Sequence, residues 1–198
     1  MSAAIDLFKK RRTQYALGDQ LPMSRDAVKE LVRDAVREAP SAFNSQSSRV
    51  VILFGEEHRK LWEITRETLR AIVPAENFAA TGAKIDSFAA GAGTVLFFED
   101  QTVIRKLQED FPLYADKFPV FSDNAAGMAQ FAVWTALAEA DIGASLQHYH
   151  PLIDDQVAKA WSLPDHWQLS AQMPFGSHRQ QIDAKEYMDN DARFRVFG

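Results

Sequence analysis

The sequence predicts a single α+β domain in which helices flank a central sheet of four strands. Two hydrophobic runs, Arg49–Phe54 and Thr94–Glu99, are apolar on both faces, so we expect both strands to be central in a covered sheet. Amphipathic segments surround them and predict helices that supply the cover. The 198 residues suffice for one domain over residues 1–198, and no clear linker, repeat or low-complexity tract divides them.

Helical periodicity predicts five or six helices. The first covers residues 2–10 and turns Ile5 and Phe8 inward. The second follows Ser24, a favourable N-cap residue, and ends at Pro40, because the residue before a proline avoids the helical region. Further helices are predicted at residues 56–73, 75–90, 123–140 and 154–161.

Two more strands complete the predicted sheet. The third begins at Ala144, and the fourth, Trp167–Met173, alternates between apolar and polar residues as a strand should. Residues 101–119 mix aromatic residues with nearby prolines and are interpreted as a mobile lid. Residues 174–198 have no regular pattern, and we expect this tail to wrap a partner subunit.

Composition restricts the classes of function. The chain has no cysteine, which excludes disulfides, thiolate metal sites, iron–sulfur clusters and a cysteine nucleophile, and which fits a cytoplasmic location. No apolar run is long enough for a membrane span, and the N-terminus lacks the features of a secretory signal. The formal net charge of −5 argues against nucleic acid as a partner.

The segment Lys9–Tyr15, KKRRTQY, places four cations before a hydroxyl group. Arginine suits phosphate because its planar guanidinium donates several hydrogen bonds with a full charge. The alternatives are a solvated helix end, where cations offset the helix dipole, and a contact with nucleic acid.

The segment PSAFNSQ, residues 40–46, is longer and more polar than a helix-to-strand connection requires. The amides of Asn44 and Gln46 each offer a donor and an acceptor, which matches the imide edge of a flavin or a pyrimidine. Turn formation and helix capping are the alternative explanation.

Other candidate motifs are weaker. His148 and His150 lie at alternate positions, so a metal site is conceivable, but no third ligand stands at a useful spacing. The segment GAGTVLF at residues 91–97 lacks the third glycine of a dinucleotide loop and precedes a strand. Neither a P-loop nor a G-x-S-x-G elbow occurs.

Taken in order, these motifs resemble the nitroreductase family of FMN-dependent oxidoreductases. The resemblance joins the early Arg-Arg-Thr, the Pro-Ser-x-x-Asn-x-Gln loop and the buried strand after it. The later GASLQHYHPLID and MPFG are similar to the family's short, fatty-acid-repression-mutant-like branch. The resemblance runs from Phe8 to the closing FRVFG.

The resemblance implies which residues bind FMN. Arg11, Arg12 and Thr13 would hold the phosphate, with Lys185, or in its place Arg193, completing that site. The flavin ring would lie against the polar loop and beside the later strand end, at Pro40, Ser41, Ala42, Asn44, Gln46, Gln147, His148 and Tyr149. It also implies a homodimer in which both chains contact FMN, with the partner's tail adding a fifth strand to the sheet.

One position departs from the family pattern. Where much of the wider family has a basic residue near the pyrimidine edge of the flavin, this sequence has Tyr15. A cation there would stabilise the negative charge of the reduced flavin, whereas tyrosine brings no charge. The residue that supplies this stabilisation is therefore not identified by the motif, and Arg12 is one candidate.

The function implied is an NAD(P)H oxidoreductase that passes two electrons to a nitroaromatic or quinone-like acceptor by ping-pong turnover. The flavin carries such chemistry, so no protein nucleophile is expected. Aromatic residues at 111, 114 and 118 either roof the acceptor pocket or pack in the core. The alternative function is a flavin-binding sensor or regulator without efficient turnover.

Overall fold

Two long strands, β3 (Gly93–Asp100) and β5 (Trp167–His178), form the centre of an antiparallel sheet. The computed structural model describes residues 2–198, within which there are five strands and eight α-helices. The other strands are β1 (Leu17–Gly18), β2 (Ser48–Phe54) and β4 (Gly143–Ala144). The helices are α1 (Ala3–Lys10), α2 (Arg25–Glu38), α3 (Gly55–Arg70), α4 (Phe78–Ala89), α5 (Gln101–Asp110), α6 (Phe118–Glu139), α7 (Asp154–Trp161) and α8 (Asn190–Arg193).

The strand order is β1-β5-β3-β2, and β4 also pairs with β5. The predicted α+β class is therefore confirmed. The sheet has a fifth strand within this chain, because the short β1 pairs with the end of β5. That pairing brings two glycines together, because an added Cβ at Gly176 would collide with the carbonyl oxygen of Gly18.

Three strand predictions need correction. The strand β2 lies at the edge of the sheet and not at its centre, and most of its residues are only partly buried. The fourth predicted strand continues past Met173 to His178, so the irregular tail begins after residue 178 and not at 174. The predicted third strand is reduced to β4 and one isolated bridge between Gln147 and Gln172.

Every residue of β3 is buried, because helices cover both faces of the sheet. Successive side chains point to opposite faces, so Val95 and Phe97 join one core layer while Leu96 and Phe98 join the other. The first layer lies under α2 and α6, and the second lies under α3, α4 and α7. Each Å² of apolar surface removed from water contributes about 25 cal/mol, so burial on both faces makes β3 strongly stabilising.

The helices follow the sequence with two changes. Ser24 caps α2 as predicted, and its side chain accepts a hydrogen bond from the Ala27 N–H at 3.1 Å. Residues 101–119 are helical for the most part, since α5 occupies Gln101–Asp110 and Asp100 caps that helix; the mobile lid stays a prediction. The helix α6 begins at Phe118, five residues earlier than predicted, with a proline in its first turn, where the missing N–H costs nothing.

The helix α1 contains no buried residue, so the prediction that Ile5 and Phe8 turn inward is wrong. Phe8 packs on Phe131 of α6 with ring centroids 5.0 Å apart, yet both rings remain about two-fifths exposed. The helix lies on the outer surface of α6, where the sheet cannot cover it. None of the helices in residues 2–198 is long and apolar enough to cross a bilayer.

His58 on α3 is buried between the helices and β3. Its ring nitrogens lie 2.8 Å from Thr94 Oγ1 and 3.2 Å from the carbonyl oxygen of Ala89. Burial lowers the pKa of His58 to about 4, because the charged ring would lose its hydration. His58 is therefore neutral in the native protein at pH 6, while in the unfolded chain it takes up a proton below about pH 6.5.

We predict that this difference makes the protein less stable as the pH falls from about 8 to about 5. In that range the unfolded state binds the proton and the native state does not, which costs about 2 kcal/mol of unfolding free energy. Urea unfolding at several pH values measures it. The variant His58→Gln should flatten the dependence of the unfolding free energy on pH, whereas His178→Gln, at an exposed position, should leave this dependence unchanged. Equal dependence in the wild type and both variants would contradict the role of His58.

Candidate functional site

The N-terminal basic segment lies beside the segment that follows β4. Thr13 forms a parallel bridge with Ala144, and the Gln14 N–H donates to the Ala144 carbonyl at 2.9 Å. The predicted group 11–15 is thereby bound to the end of β4, three residues before the predicted group 147–149 begins.

Arg11 has the surroundings of an anion-binding side chain. Its guanidinium lies 4.3 Å from the ring centroid of Trp134 on α6, and its buried Nε has no hydrogen-bond partner. Burial, together with the neighbouring charge of Arg12, lowers the pKa of Arg11. Among the described residues no carboxylate pairs with Arg11, so its charge is available to a ligand.

Arg12, Lys185 and Arg193 line one cavity of about 750 Å³ between α1 and the C-terminal tail. Arg12 also donates to the carbonyl oxygen of Asp183 at 2.9 Å, which ties the tail to the N-terminal motif. Lys10 points elsewhere, because it pairs with Asp141 at 2.8 Å. The four consecutive cations therefore do not form one continuous basic surface.

The polar loop has an unusual backbone. Phe43, Asn44 and Gln46 all have left-handed conformations, with φ between 50° and 57°, which are rare for residues other than glycine. The Ser41 hydroxyl accepts a hydrogen bond from the Gln46 N–H at 3.0 Å, so Ser41 has the structural role of a turn former. The exposed side-chain amide of Asn44 makes no hydrogen bond to any described residue and is free to bind a ligand.

In the segment Gln147–Tyr149 only one backbone N–H is available. The Gln147 N–H donates to the Gln172 carbonyl at 2.7 Å, and the Tyr149 N–H donates to the Gln172 side chain at 2.8 Å. The Gln147 amide bonds Ser145, and burial raises the pKa of Tyr149 to about 12, so both side chains belong to the interior. The His148 N–H has no partner within residues 2–198.

The polar loop and Arg11 lie at different positions along α6. Phe43 in the loop contacts Phe118 in the first turn of α6, with ring centroids 5.6 Å apart, whereas Arg11 contacts Trp134. Phe118 and Trp134 are sixteen residues apart, which corresponds to about 24 Å along an α-helix. Within one chain the loop tip and the arginines therefore face different ends of α6.

Aromatic side chains surround the loop tip. Phe43 lies 4.8 Å from Phe111 between ring centroids, and both rings are partly exposed. Phe118 is fully buried and belongs to the core, while Tyr114 is exposed. The rings of His148 and His150 lie 5.9 Å apart, but no group of three metal-binding side chains occurs in the part of the chain that the structure describes.

Known proteins share the sequence pattern and the fold of this chain. The model of the nitroreductase family matches residues 8–177. The chain belongs to the nitroreductase family. The nitroreductase CinD from Lactococcus lactis, solved in complex with chloramphenicol, is 47% identical with a TM-score of 0.91, covering 99% of this chain and 100% of that one. The same protein was solved in complex with 4-nitrophenol.

Two nitroreductase relatives from Saccharomyces cerevisiae identify the branch. HBN1 is 38% identical over 183 residues, which is 91% of each chain. FRM2 is 32% identical over 189 residues, covering 94% of this chain and 93% of its own. FRM2 is the fatty acid repression mutant protein, so the resemblance to that short branch of the nitroreductases is confirmed.

Sequence reasoning did not predict that Lys84 lies close to Tyr15. Its Nζ lies 5.9 Å from the ring centroid of Tyr15, although the two residues are sixty-nine positions apart. No local pattern marks a lysine on α4 as part of a site. The only related feature of the sequence is Tyr15, which stands where much of the family has a basic residue.

It also missed Glu99, a buried carboxylate at the end of β3 that holds the polar loop in place. Its oxygens accept hydrogen bonds from the hydroxyl groups of Ser47 at 2.6 Å, Ser48 at 2.5 Å and Ser122 at 2.5 Å. Next to it, Asp100 pairs with Arg49 at 2.9 Å. The end of the loop is therefore bound to the central strand and to α6 together.

We predict that Glu99→Ala lowers the unfolding free energy by about 2–4 kcal/mol, because it leaves three hydroxyl groups near the core without their acceptor. Urea unfolding measures the loss. Ser122→Ala should cost less in the Glu99→Ala background than in the wild type, since the hydrogen bond is already gone. Glu109→Ala, at an exposed position of α5, is the matched control; an equal loss in both glutamate variants would contradict the prediction.

Proposed function

We propose that this chain is an FMN-dependent NAD(P)H oxidoreductase that reduces nitroaromatic or quinone-like acceptors by ping-pong turnover. The observation that carries the proposal is the set of cations at the N-terminal motif of a nitroreductase: Arg11 without a carboxylate partner, and Arg12, Lys185 and Arg193 around one cavity. When bound, the flavin would supply the chemistry, accepting two electrons and a proton as hydride from NAD(P)H and passing two electrons to the acceptor.

The cations would hold the phosphate of FMN. A phosphate dianion binds best where several charged donors approach it from different sides. Arg11 and Arg12 offer two guanidinium groups, Thr13 adds a hydroxyl, and Lys185 and Arg193 stand across the cavity from α1. Because Arg12 also bonds Asp183, binding of the phosphate would be coupled to the position of the tail.

The polar loop and the segment after β4 would position the ring. The His148 N–H is the one backbone donor left in residues 147–149, and it would donate a hydrogen bond at the reacting edge of the flavin. The Asn44 amide would bind the ring from the loop. Since the loop tip and Arg11 of one chain face different ends of α6, we propose that the loop which meets this flavin belongs to a second copy of the chain.

Three features support a homodimer. An apolar groove of about 460 Å³ lies along α6, and its lining includes the half-exposed Phe8, Met128 and Phe131. The edge strand β2 has no strand neighbour on its outer side within the described chain, and such an edge is a template for pairing. Residues 194–197 of the tail are exposed, and we propose that they pair with the partner's sheet, where they would add a sixth strand to the five of that chain.

The acceptor would bind by stacking. Phe43 and Phe111 present partly exposed rings next to the loop, and flat aromatic molecules stack well on such faces. The two CinD complexes contain nitroaromatic molecules, chloramphenicol and 4-nitrophenol, which supports that substrate class for this chain. The cytoplasmic location stays a prediction.

A flavin-binding sensor without efficient turnover is the second candidate, and the observation that favours it is Tyr15 in place of a cation. Adding NADPH or NADH under anaerobic conditions distinguishes the sensor from the enzyme. We expect the purified protein to be yellow, to bleach within seconds when the nucleotide is added and to recover its colour with 4-nitrophenol or a quinone. Slow bleaching would favour the sensor, and a protein that binds no added FMN would overturn both.

For the phosphate site, we predict that Arg12→Ala weakens FMN binding by about tenfold to a hundredfold, because one charge-assisted hydrogen bond contributes about 1.5–3 kcal/mol. Quenching of flavin fluorescence measures the affinity. Riboflavin, which has no phosphate, should bind Arg12→Ala and wild type equally. Asn44→Ala should lower the affinity for FMN and for riboflavin alike. Arg33→Ala, on the exposed face of α2, should change neither affinity. A weaker affinity for riboflavin in Arg12→Ala would contradict the phosphate assignment.

A further inference from the structure

We infer that Gln172 is a positioning residue for the flavin, because its side chain fixes the backbone that directs the His148 N–H to the reacting edge of the ring. The inference rests on the proposed function, since it requires FMN bound beside residues 147–149. Gln172 is completely buried, so it would not touch the flavin itself. It would act through the backbone of the segment that does.

Gln172 is a polar side chain at a core position of β5. It pairs with Leu96 of β3, which belongs to the core layer under α3, α4 and α7. The side-chain Nε2 of Gln172 is buried and has no hydrogen-bond partner within residues 2–198. A buried donor without a partner is destabilising, so the stability of the core does not by itself explain a glutamine here.

The other end of the same side chain has a specific partner. Gln172 Oε1 accepts a hydrogen bond from the Tyr149 N–H at 2.8 Å. The backbone of Gln172 holds Gln147, because its carbonyl accepts from the Gln147 N–H at 2.7 Å and its N–H donates to the Gln147 carbonyl at 2.9 Å. One residue of β5 therefore binds the chain on both sides of His148.

Tyr149 is also anchored from its own side. Its ring lies 6.0 Å from that of Trp62, between centroids, and packs on the same core layer. Its carbonyl accepts a hydrogen bond from the Leu152 N–H at 3.0 Å. His148 is exposed between these fixed neighbours, and its N–H has no partner in the described chain. The direction of that N–H is therefore determined by its neighbours.

A fixed donor has an effect at this edge of the flavin. Hydride enters and leaves the ring at N5, and a hydrogen bond to N5 withdraws electron density from that atom. A donor that the protein already holds in place needs no reorganisation when the reaction occurs. Without the Gln172 side-chain carbonyl, the Tyr149 N–H would lose its acceptor, and the backbone around His148 would rearrange to find another.

The test compares FMN with 5-deazaFMN, an analogue in which a C–H group replaces N5 and cannot accept a hydrogen bond. Fluorescence titration gives both affinities. We expect the wild type to bind FMN about threefold to tenfold more tightly, which is the contribution of one hydrogen bond. Gln172→Met keeps a side chain of similar size without the acceptor, so this preference should disappear. Gln172→Glu keeps an acceptor oxygen for the Tyr149 N–H and should restore most of it.

Gln130→Met is the matched control, since Gln130 is also a buried glutamine and donates to Ser170 of β5 at 3.3 Å. This variant loses a hydrogen bond to the same strand and should keep the wild-type preference for FMN. If Gln172 were only structural, Gln172→Met would weaken FMN and 5-deazaFMN alike. An unchanged ratio of the two affinities in that variant would overturn the inference.

Amide hydrogen exchange, followed by NMR without flavin, tests the same assignment independently. In the wild type the His148 amide should exchange about tenfold faster, or more, than the amides of Gln147 and Tyr149. In Gln172→Met the Tyr149 amide should lose its protection, while the Gln147 amide should keep it. Equal exchange of the Tyr149 and His148 amides in the wild type would overturn the inference.

The outcome in the wild type separates this inference from the proposed function. Equal affinities of the wild type for FMN and 5-deazaFMN would overturn the role of Gln172 and leave the proposed function intact. A wild-type chain that binds neither flavin would overturn the proposed function itself.

Discussion

The complete burial of β3 is the constraint on which the rest of the structure depends. This strand pairs with β2 on one side and β5 on the other, and its side chains enter both core layers. The helices α2 and α6 on one face, and α3, α4 and α7 on the other, therefore form their core layers with the same eight residues. The candidate site lies where chain segments leave this core. The positions of its residues therefore depend on the position of β3.

The ends of the central strand connect the core to the site. At its carboxyl end, Glu99 and Asp100 hold the residues that close the polar loop. On its other partner strand, Gln172 accepts and donates hydrogen bonds that fix residues 147–149. Breaking any of these hydrogen bonds would leave a further buried polar group without a partner, so they favour one arrangement of the loop and of the strand end. The Asn44 side chain and the His148 backbone N–H remain without a hydrogen-bond partner in residues 2–198.

Local patterns were sufficient to predict the fold class, the bounds of most helices and the family. Ser24 and Pro40 mark α2 by their own backbone chemistry, and α7 was predicted with its exact bounds. The errors arose where distant contacts decide. Pro174 suggested the end of a strand, but it pairs with Thr94 and its carbonyl accepts from Ser145, so β5 continues through it. The exposure of α1, the edge position of β2 and the proximity of Lys84 to Tyr15 are likewise products of tertiary packing.

The contact between the glycines of β1 and β5 connects the edge of the sheet to the basic N-terminal segment, so a substitution at this contact affects both. Gly18 and Gly176 meet so closely that any side chain at 176 would act as a wedge between the two backbones. The chain segment from Tyr15 to Gly18 is short, so a displaced β1 would pull on the cation-bearing residues at its upstream end. A side chain at position 176 would thus disturb the basic N-terminal segment as well as the edge of the sheet.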